Sequence, residues 1–149
     1  LVPDASGQLT SDHGWDTGTH ADFLKEVIAY FKNIGVRTSF FLDTVEELVR
    51  GEAEVGTDRI ELYTESYAAN YAKDKEKAVK DYCKAAELAM KLGLGINAGH
   101  DLSLENLAFF ANRVPGLKEV SIGHALICDA LYLGLEKTIR AYRECLAVD

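Results

Sequence analysis

The sequence predicts an α/β protein in which parallel strands alternate with helices, and three observations support this. Short runs of β-branched and aromatic residues recur along the chain. Each run is followed by a segment with apolar residues at helical spacing. The apolar fraction of 48% in 149 residues is sufficient for one domain with its own core. Strands that alternate with helices form parallel sheets, because each helix returns the chain to the starting edge of the sheet.

The N-terminal half of the chain is predicted to contain the end of one strand, two helices and two complete strands. Thr44 and Glu47 have the spacing of a capping box, which predicts a helix that starts here and stops near Gly56. In chain order, the predicted elements are the strand end 1–3, the helix 21–33, the strand 36–42, the helix 44–55 and the strand 59–63.

The C-terminal half is predicted to contain three helices and two strands. A polar loop should cover residues 64–70, and the long helix after it carries Val79, Cys83, Ala86 and Met90 at the spacing of a buried face. The elements are the helix 73–92, the strand 95–98, the helix 103–112, the strand 119–122 and a last helix from about residue 124. An apolar stripe on this last helix comprises Ile127, Leu131, Leu135, Thr138, Tyr142 and Cys145.

Two layouts have this element order, an open doubly wound sheet and a closed (β/α)8 barrel. A complete barrel needs about 250 residues. The end of one strand, four complete strands and five helices amount to a little over half of a barrel. The chain begins with Leu1 rather than methionine, so it was either cut or is part of a longer polypeptide. Half of a barrel has two open sheet edges, and we expect the missing strands to come from elsewhere.

Composition argues against several classes of protein. A net charge of −8 disfavours a nucleic-acid surface, which needs clustered Lys and Arg. No run of roughly 18 apolar residues predicts a membrane span, and no signal peptide is recognisable. Three irregularly spaced cysteines indicate reduced, structural thiols of a cytoplasmic protein, and no Cys/His cluster has the spacing of a metal site.

Candidate site residues are the polar residues at the carboxyl ends of the strands, where parallel barrels place their active sites. Glu61 lies within an apolar strand, where an inward-facing carboxylate is costly unless it is paired or used. An outward salt bridge is the alternative. His100 follows Gly99 at a strand end and could act as a general acid or base, or could simply cap a helix.

A second group of candidates could bind anions. Gly123 and His124 precede the last helix, and a helix N-terminus with exposed backbone N–H groups attracts phosphate. The alternative is an ordinary turn from strand to helix. Thr10 lies in the opening loop and could donate a hydrogen bond to a phosphate or a sugar hydroxyl, or could be an ordinary loop residue.

Four stretches of the sequence resemble the pyridoxine 5′-phosphate synthase (PdxJ) family. These are LVP followed by LTSDHGWD, IELYTESYA, NAGHDLSLENL and VSIGHALICDALYLGLEKTIRAY. The resemblance implies a (β/α)8 barrel domain of which residues 1–149 form the C-terminal part, from the end of strand four. It also implies condensation of 1-deoxy-D-xylulose 5-phosphate with 3-amino-2-oxopropyl phosphate to pyridoxine 5′-phosphate. The family uses no cofactor and forms a cytoplasmic homo-octamer.

The resemblance also assigns roles to individual residues. His100 matches a proton donor and Glu61 a glutamate that stabilises a transition state. Contacts to the two phosphorylated substrates are implied for Thr10, Asp101, Gly123 and His124, although some family members carry glycine at position 101. The family's other general bases, a histidine and a glutamate, precede the part that this chain resembles, so residues 1–149 alone should be inactive. Two alternatives are an inactive half-barrel and another phosphate-binding barrel enzyme.

Overall fold

The computed structural model describes residues 1–147, in which seven helices surround one face of a four-stranded sheet. In chain order, the elements are α1 (Ala21–Asn33), β1 (Ser39–Leu42), α2 (Glu46–Val55), β2 (Arg59–Leu62), α3 (Glu65–Tyr71), α4 (Lys75–Lys91), β3 (Gly95–Gly99), α5 (Leu107–Arg113), β4 (Leu117–Ser121), α6 (His124–Leu133) and α7 (Leu135–Cys145).

The strands are all parallel and follow one another in the sheet in chain order, β1-β2-β3-β4. A doubly wound sheet would reverse direction part-way, so this singly wound order is that of a barrel wall. The first residue of the chain pairs with β1 and so adds a further hydrogen-bonded segment to this edge of the sheet. The backbone nitrogen of Leu1 donates to the Ser39 carbonyl (2.6 Å), and the Phe41 N–H donates to the Leu1 carbonyl (3.0 Å). This alternation is a parallel pairing, so the prediction of a strand end at Leu1 is confirmed.

The two faces of the sheet differ in chemistry, as side-chain alternation along a strand requires. Ile60, Leu62 and Ile96 point towards the helices and are fully buried in the main core. The opposite face carries polar groups. Near the amino ends of the strands, the Arg59 guanidinium contacts the Glu119 carboxylate at 2.8 Å and the Asn97 side-chain oxygen at 3.0 Å. Helices therefore cover only the outer face of this wall.

Two predictions for the loops around β2 are wrong. Most of the predicted loop 64–70 belongs to α3, because Tyr67 is fully buried and its hydroxyl donates to the Asn106 carbonyl at 2.7 Å. The capping box before α2 does not form. Val45 is the N-cap residue and has an extended backbone, so α2 starts one residue later than it would with Thr44 as the N-cap. In both cases, tertiary packing determines the boundary.

The predicted last helix is two helices, since the chain turns at Gly134 (φ 82°, ψ 144°). The apolar stripe is buried on α7 at Thr138 and Tyr142, but on α6 Ile127 and Leu131 are 57% and 80% exposed. The predicted stripe is therefore buried only in its C-terminal part, since Leu135 at the start of α7 is also 55% exposed. The predicted buried face of α4 is likewise wrong at Met90, which is 52% exposed.

All three cysteines are free thiols. Cys83 and Cys145 are partly buried against the main core, as predicted, whereas Cys128 is exposed on α6 and is not a core residue. Within residues 1–147, no helix has both the length and the apolar character needed to cross a membrane.

Candidate active site

An open cavity of about 980 Å³ lies at the carboxyl ends of the strands. Segments that are far apart in sequence contribute to its wall: the opening loop, β1, β2, the loop after β3, and the start of α6. The lining includes every position that the sequence singled out, namely Thr10, Glu61, His100, Asp101, Gly123 and His124. The fold therefore brings the predicted site residues together.

The backbone at His100 is unusual. Among residues 1–147, His100 alone has a positive φ (58°) without being glycine. Such a conformation costs about 1 kcal/mol or more and persists where surrounding contacts enforce it. Here the His100 N–H donates to the Ser121 carbonyl at 3.0 Å, which ties the corner after β3 to the end of β4. The strain directs the imidazole into the cavity.

The imidazole of His100 is bonded at both nitrogens. Nε2 lies 2.9 Å from the Thr10 hydroxyl, and Nδ1 lies 3.0 Å from a carboxylate oxygen of Asp101. The rings of Tyr63 and Phe41 flank it, with centroids 5.8 and 6.3 Å away. About a third of the side chain remains exposed, so the ring is both held in place and accessible from the cavity.

The Glu61 side chain points inward from β2, so the inward orientation holds and the alternative of an outward salt bridge does not. Burial raises the pKa of its carboxyl above the usual value, and the nearby His100 acts in the opposite direction. The carboxylate lies against the backbone of β3, where a Cβ on Gly99 would come within 3.0 Å of Glu61 Oε1. A partly buried carboxyl and an imidazole that line the same cavity are groups suited to proton transfer.

Gly99 is required for this close packing. A Cβ at this position would meet the Ser121 carbonyl oxygen at 2.3 Å, which is backbone and cannot move aside cheaply. We expect Gly99→Ala to lower the free energy of unfolding by about 1 to 3 kcal/mol in chemical denaturation.

Gly123→Ala is the matched control for Gly99→Ala, since it changes a glycine at the end of the neighbouring strand where a Cβ meets nothing within 4 Å. Equal unfolding midpoints for the two variants would contradict a packing role for Gly99.

Thr64 is a site residue that the sequence analysis missed. It is fully buried at the end of β2, and its hydroxyl donates to the Gly99 carbonyl and accepts from the Asp101 N–H (3.2 Å). It thus connects β2 to the corner that holds His100. A threonine directly after a strand that carries a candidate carboxylate could have indicated it. Phe41 and Ser121 also line the cavity and were missed, although inward alternation along their strands predicts their orientation.

The Gly123-His124 step begins α6, and the first N–H groups of a helix have no partner within the helix. They open onto the cavity and could receive an anion. His124 Nε2 is 3.5 Å from the Cys128 thiol, one turn further along. Across residues 1–147, no group of three or more His, Cys, Asp and Glu side chains is arranged to hold a metal ion.

The chain matches the family model described as "Pyridoxal phosphate biosynthesis protein PdxJ" over residues 1–148. A protein of Christiangramia forsetii named pyridoxine 5′-phosphate synthase is 61% identical over 146 residues, which are 98% of this chain and 62% of that relative. Proteins of the same name from Cytophaga hutchinsonii and Porphyromonas gingivalis are each 58% identical, over 95% and 99% of this chain. They are covered over 60% and 62% of their own lengths.

This chain thus spans about 60% of the length of the curated relatives it matches. The four-stranded, singly wound sheet is part of the TIM barrel that characterises the matched family. With a match that covers residues 1–148, the chain belongs to the PdxJ family of pyridoxal phosphate biosynthesis proteins.

Proposed function

We propose that this chain is the C-terminal part of a pyridoxine 5′-phosphate synthase, and that residues 1–149 belong to a single barrel domain. The observation that carries the proposal is the convergence on one cavity of all six positions that match the family's site. The reaction is the condensation of 1-deoxy-D-xylulose 5-phosphate with 3-amino-2-oxopropyl phosphate. Its products are pyridoxine 5′-phosphate, inorganic phosphate and water.

The chemistry of this reaction fits the groups that line the cavity. Closing a pyridine ring from two open-chain phosphates requires imine formation, several proton transfers and the loss of water and phosphate. His100 is the proton donor, and Glu61 stabilises positive charge that develops on the substrate nearby. Because a helix N-terminus binds anions without lysines, α6 can hold a phosphate in a protein with a net charge of −8.

The two substrates are assigned to different residues of the cavity. The aminoketone phosphate binds at Gly123 and His124, with position 101 beside it, and the deoxyxylulose phosphate contacts Thr10. The remaining general bases belong to the part of the relatives that this chain does not span. In the proposal, the complete barrels assemble as a homo-octamer in the cytoplasm and need neither a metal nor a redox cofactor.

A chimaera tests this proposal. The chimaera joins two segments. The first is the part of the Christiangramia forsetii synthase that this chain does not match, and residues 1–149 follow it. Incubation with both substrates should yield pyridoxine 5′-phosphate, detected by mass spectrometry, with release of phosphate. The 149-residue chain alone should yield none, and light scattering of the chimaera should give the mass of eight subunits.

A folded chimaera that binds phosphate but makes no pyridoxine 5′-phosphate would favour another phosphate-binding barrel enzyme. Loss of both binding and activity in a folded chimaera would favour an inactive half-barrel. The native Christiangramia forsetii enzyme, assayed in parallel, establishes that the substrates and conditions are adequate.

Glu61→Gln should lower kcat of the chimaera by at least about tenfold, because the amide keeps the shape of the side chain but removes the negative charge. The protein should still fold. Glu105→Gln is the matched control, since Glu105 is exposed outside the cavity and its charge should not affect turnover. A kcat for Glu61→Gln within twofold of the parent would remove Glu61 from the mechanism.

A further inference from the structure

The side chain of Asp101 is turned towards His100. One carboxylate oxygen lies 3.0 Å from His100 Nδ1, and the carboxylate is about 30% exposed. The backbone N–H of Asp101 is also engaged, since it donates to the Thr64 hydroxyl at 3.2 Å. Both polar groups through which Asp101 could meet a phosphate are therefore directed at protein atoms.

The corner that carries Asp101 is fixed by the core. The Asp101 carbonyl accepts from the Asn106 side chain (3.3 Å), and the Asn106 carbonyl accepts from the hydroxyl of the fully buried Tyr67 (2.7 Å). Asn106 is itself buried and accepts from the Ser103 N–H through its side-chain oxygen (2.9 Å). These bonds hold the backbone on both sides of Asp101 and so fix the position from which its side chain reaches the imidazole.

We propose that Asp101 is a positioning residue that sets the tautomer of His100. A carboxylate can only accept a hydrogen bond, so the contact requires the proton of the neutral imidazole to be on Nδ1. Nε2 then carries the lone pair and accepts from the Thr10 hydroxyl. Nε2 is thereby the one nitrogen through which His100 exchanges a proton with substrate.

The proton balance follows directly. In the charged ring, Nδ1–H remains bonded to Asp101 while the Nε2–H proton passes to the hydroxyl oxygen of the carbinolamine that precedes the imine. The C–O bond breaks with its electron pair going to that oxygen, which departs as water, and the lone pair of the adjacent amine nitrogen forms the C=N bond of a positively charged iminium. The ring that remains is neutral and keeps its proton on Nδ1. Asp101 is neither protonated nor deprotonated in this step, and it stabilises the charged ring before transfer.

The test uses Asp101→Asn, which preserves size and packing. Its NH₂ group can donate to Nδ1, which would move the proton of the neutral ring to Nε2. Asp101→Ala can neither donate nor accept, and it covers the case in which the amide oxygen keeps the contact with Nδ1–H. We expect ¹⁵N NMR of the histidine rings to show Nδ1–H for His100 in the parent chimaera and mainly Nε2–H in the variant. A His100→Asn spectrum identifies the resonance. Asp81→Asn, the same change on the exposed surface of α4, should leave the ring unaffected.

The second readout is turnover, and this readout rests on the proposed function. We expect kcat of Asp101→Asn to fall about tenfold or more, with KM for either substrate changed less than about threefold. The NMR readout needs no substrate, so it decides the inference even in a protein that makes no product. An unchanged tautomer in both Asp101→Asn and Asp101→Ala, or Nε2–H in the parent, would overturn the inference. A large rise in KM with unchanged kcat would instead assign Asp101 to substrate binding.

Discussion

His100→Asn should lower kcat of the chimaera by at least about a hundredfold, the usual scale for the loss of a general acid. An amide has no proton that it can release near neutral pH, so the variant loses the transfer step and keeps the remaining contacts of the cavity. This is the largest effect on activity that we expect from a single side chain of the site.

The fold should tolerate His100→Asn for a specific reason. His100 adopts a positive φ of 58°, and asparagine is one of the few residues other than glycine that accepts this conformation. Its N–H can still donate to the Ser121 carbonyl. We therefore expect the unfolding midpoint in urea to be nearly that of the parent.

His13→Asn is the matched control for His100→Asn, since His13 is exposed in the opening loop and does not line the cavity. Two results would contradict the role of His100: turnover within a few-fold of the parent, or a loss of turnover that is accompanied by unfolding.

His124→Asn offers a further contrast. If His124 contacts the phosphate, its change should raise KM for the aminoketone more than it lowers kcat.

The parallel sheet and the convergence of the site were predictable from the residues, whereas the strand order was left open between two layouts and several local boundaries were wrong. Glycine-histidine pairs at the ends of two apolar strands predict that His100 and His124 lie at one edge of a parallel sheet, and both line the cavity. The helix α3 was not predictable, because it depends on burial of Tyr67 against Phe110 and Tyr82 rather than on local propensity. The partners of a buried ring lie far along the chain and leave no local pattern.

The contact between Asp101 and His100 was equally invisible in the sequence. His100 and Asp101 follow β3 in a corner, and neighbouring residues in a corner have no regular relative direction from which a side-chain contact could be predicted. The contact forms at the residue with a positive φ, and the sequence pattern does not indicate that conformation. The exposed apolar face of α6 was mispredicted for a related reason: helical spacing shows where a stripe lies but not what covers it.

Stability of the protein should fall as the pH rises from about 4.5 to 8, because of a buried carboxyl outside the active site. Glu52 on α2 is fully buried, and neither of its oxygens has a hydrogen-bond partner among residues 1–147. This burial raises the pKa of Glu52 from 4.5 to about 8. An unpaired charge in such a place is strongly unfavourable, so the folded protein holds Glu52 in its neutral form at pH 7.

The direction of the effect follows from proton binding. Below pH 4.5 the carboxyl is protonated in both the folded and the unfolded chain, and it does not penalise folding. Between 4.5 and about 8 the unfolded chain releases the proton and the folded protein retains it, so the free energy of unfolding falls with pH. Above about pH 8 the Glu52 carboxyl is ionised in both the folded and the unfolded chain, and it lowers the free energy of unfolding no further. The rise in the pKa of Glu52 from 4.5 to about 8 corresponds to a decrease of at most about 5 kcal/mol in the free energy of unfolding.

Glu52→Gln should remove this pH dependence, because the amide resembles the neutral acid at every pH. In urea unfolding of the chimaera, we expect parent and variant to be similar at about pH 4.5 and the variant to be more stable by about 3 to 5 kcal/mol at about pH 8.5. Glu54→Gln, an exposed position on the same helix, is the matched control and should follow the parent. Parallel curves for the parent and Glu52→Gln across this range would mean that the Glu52 carboxyl reaches water or a partner in the folded protein. Glu52 could then not explain a loss of stability at alkaline pH, and its surroundings would have to be more open than its complete burial indicates.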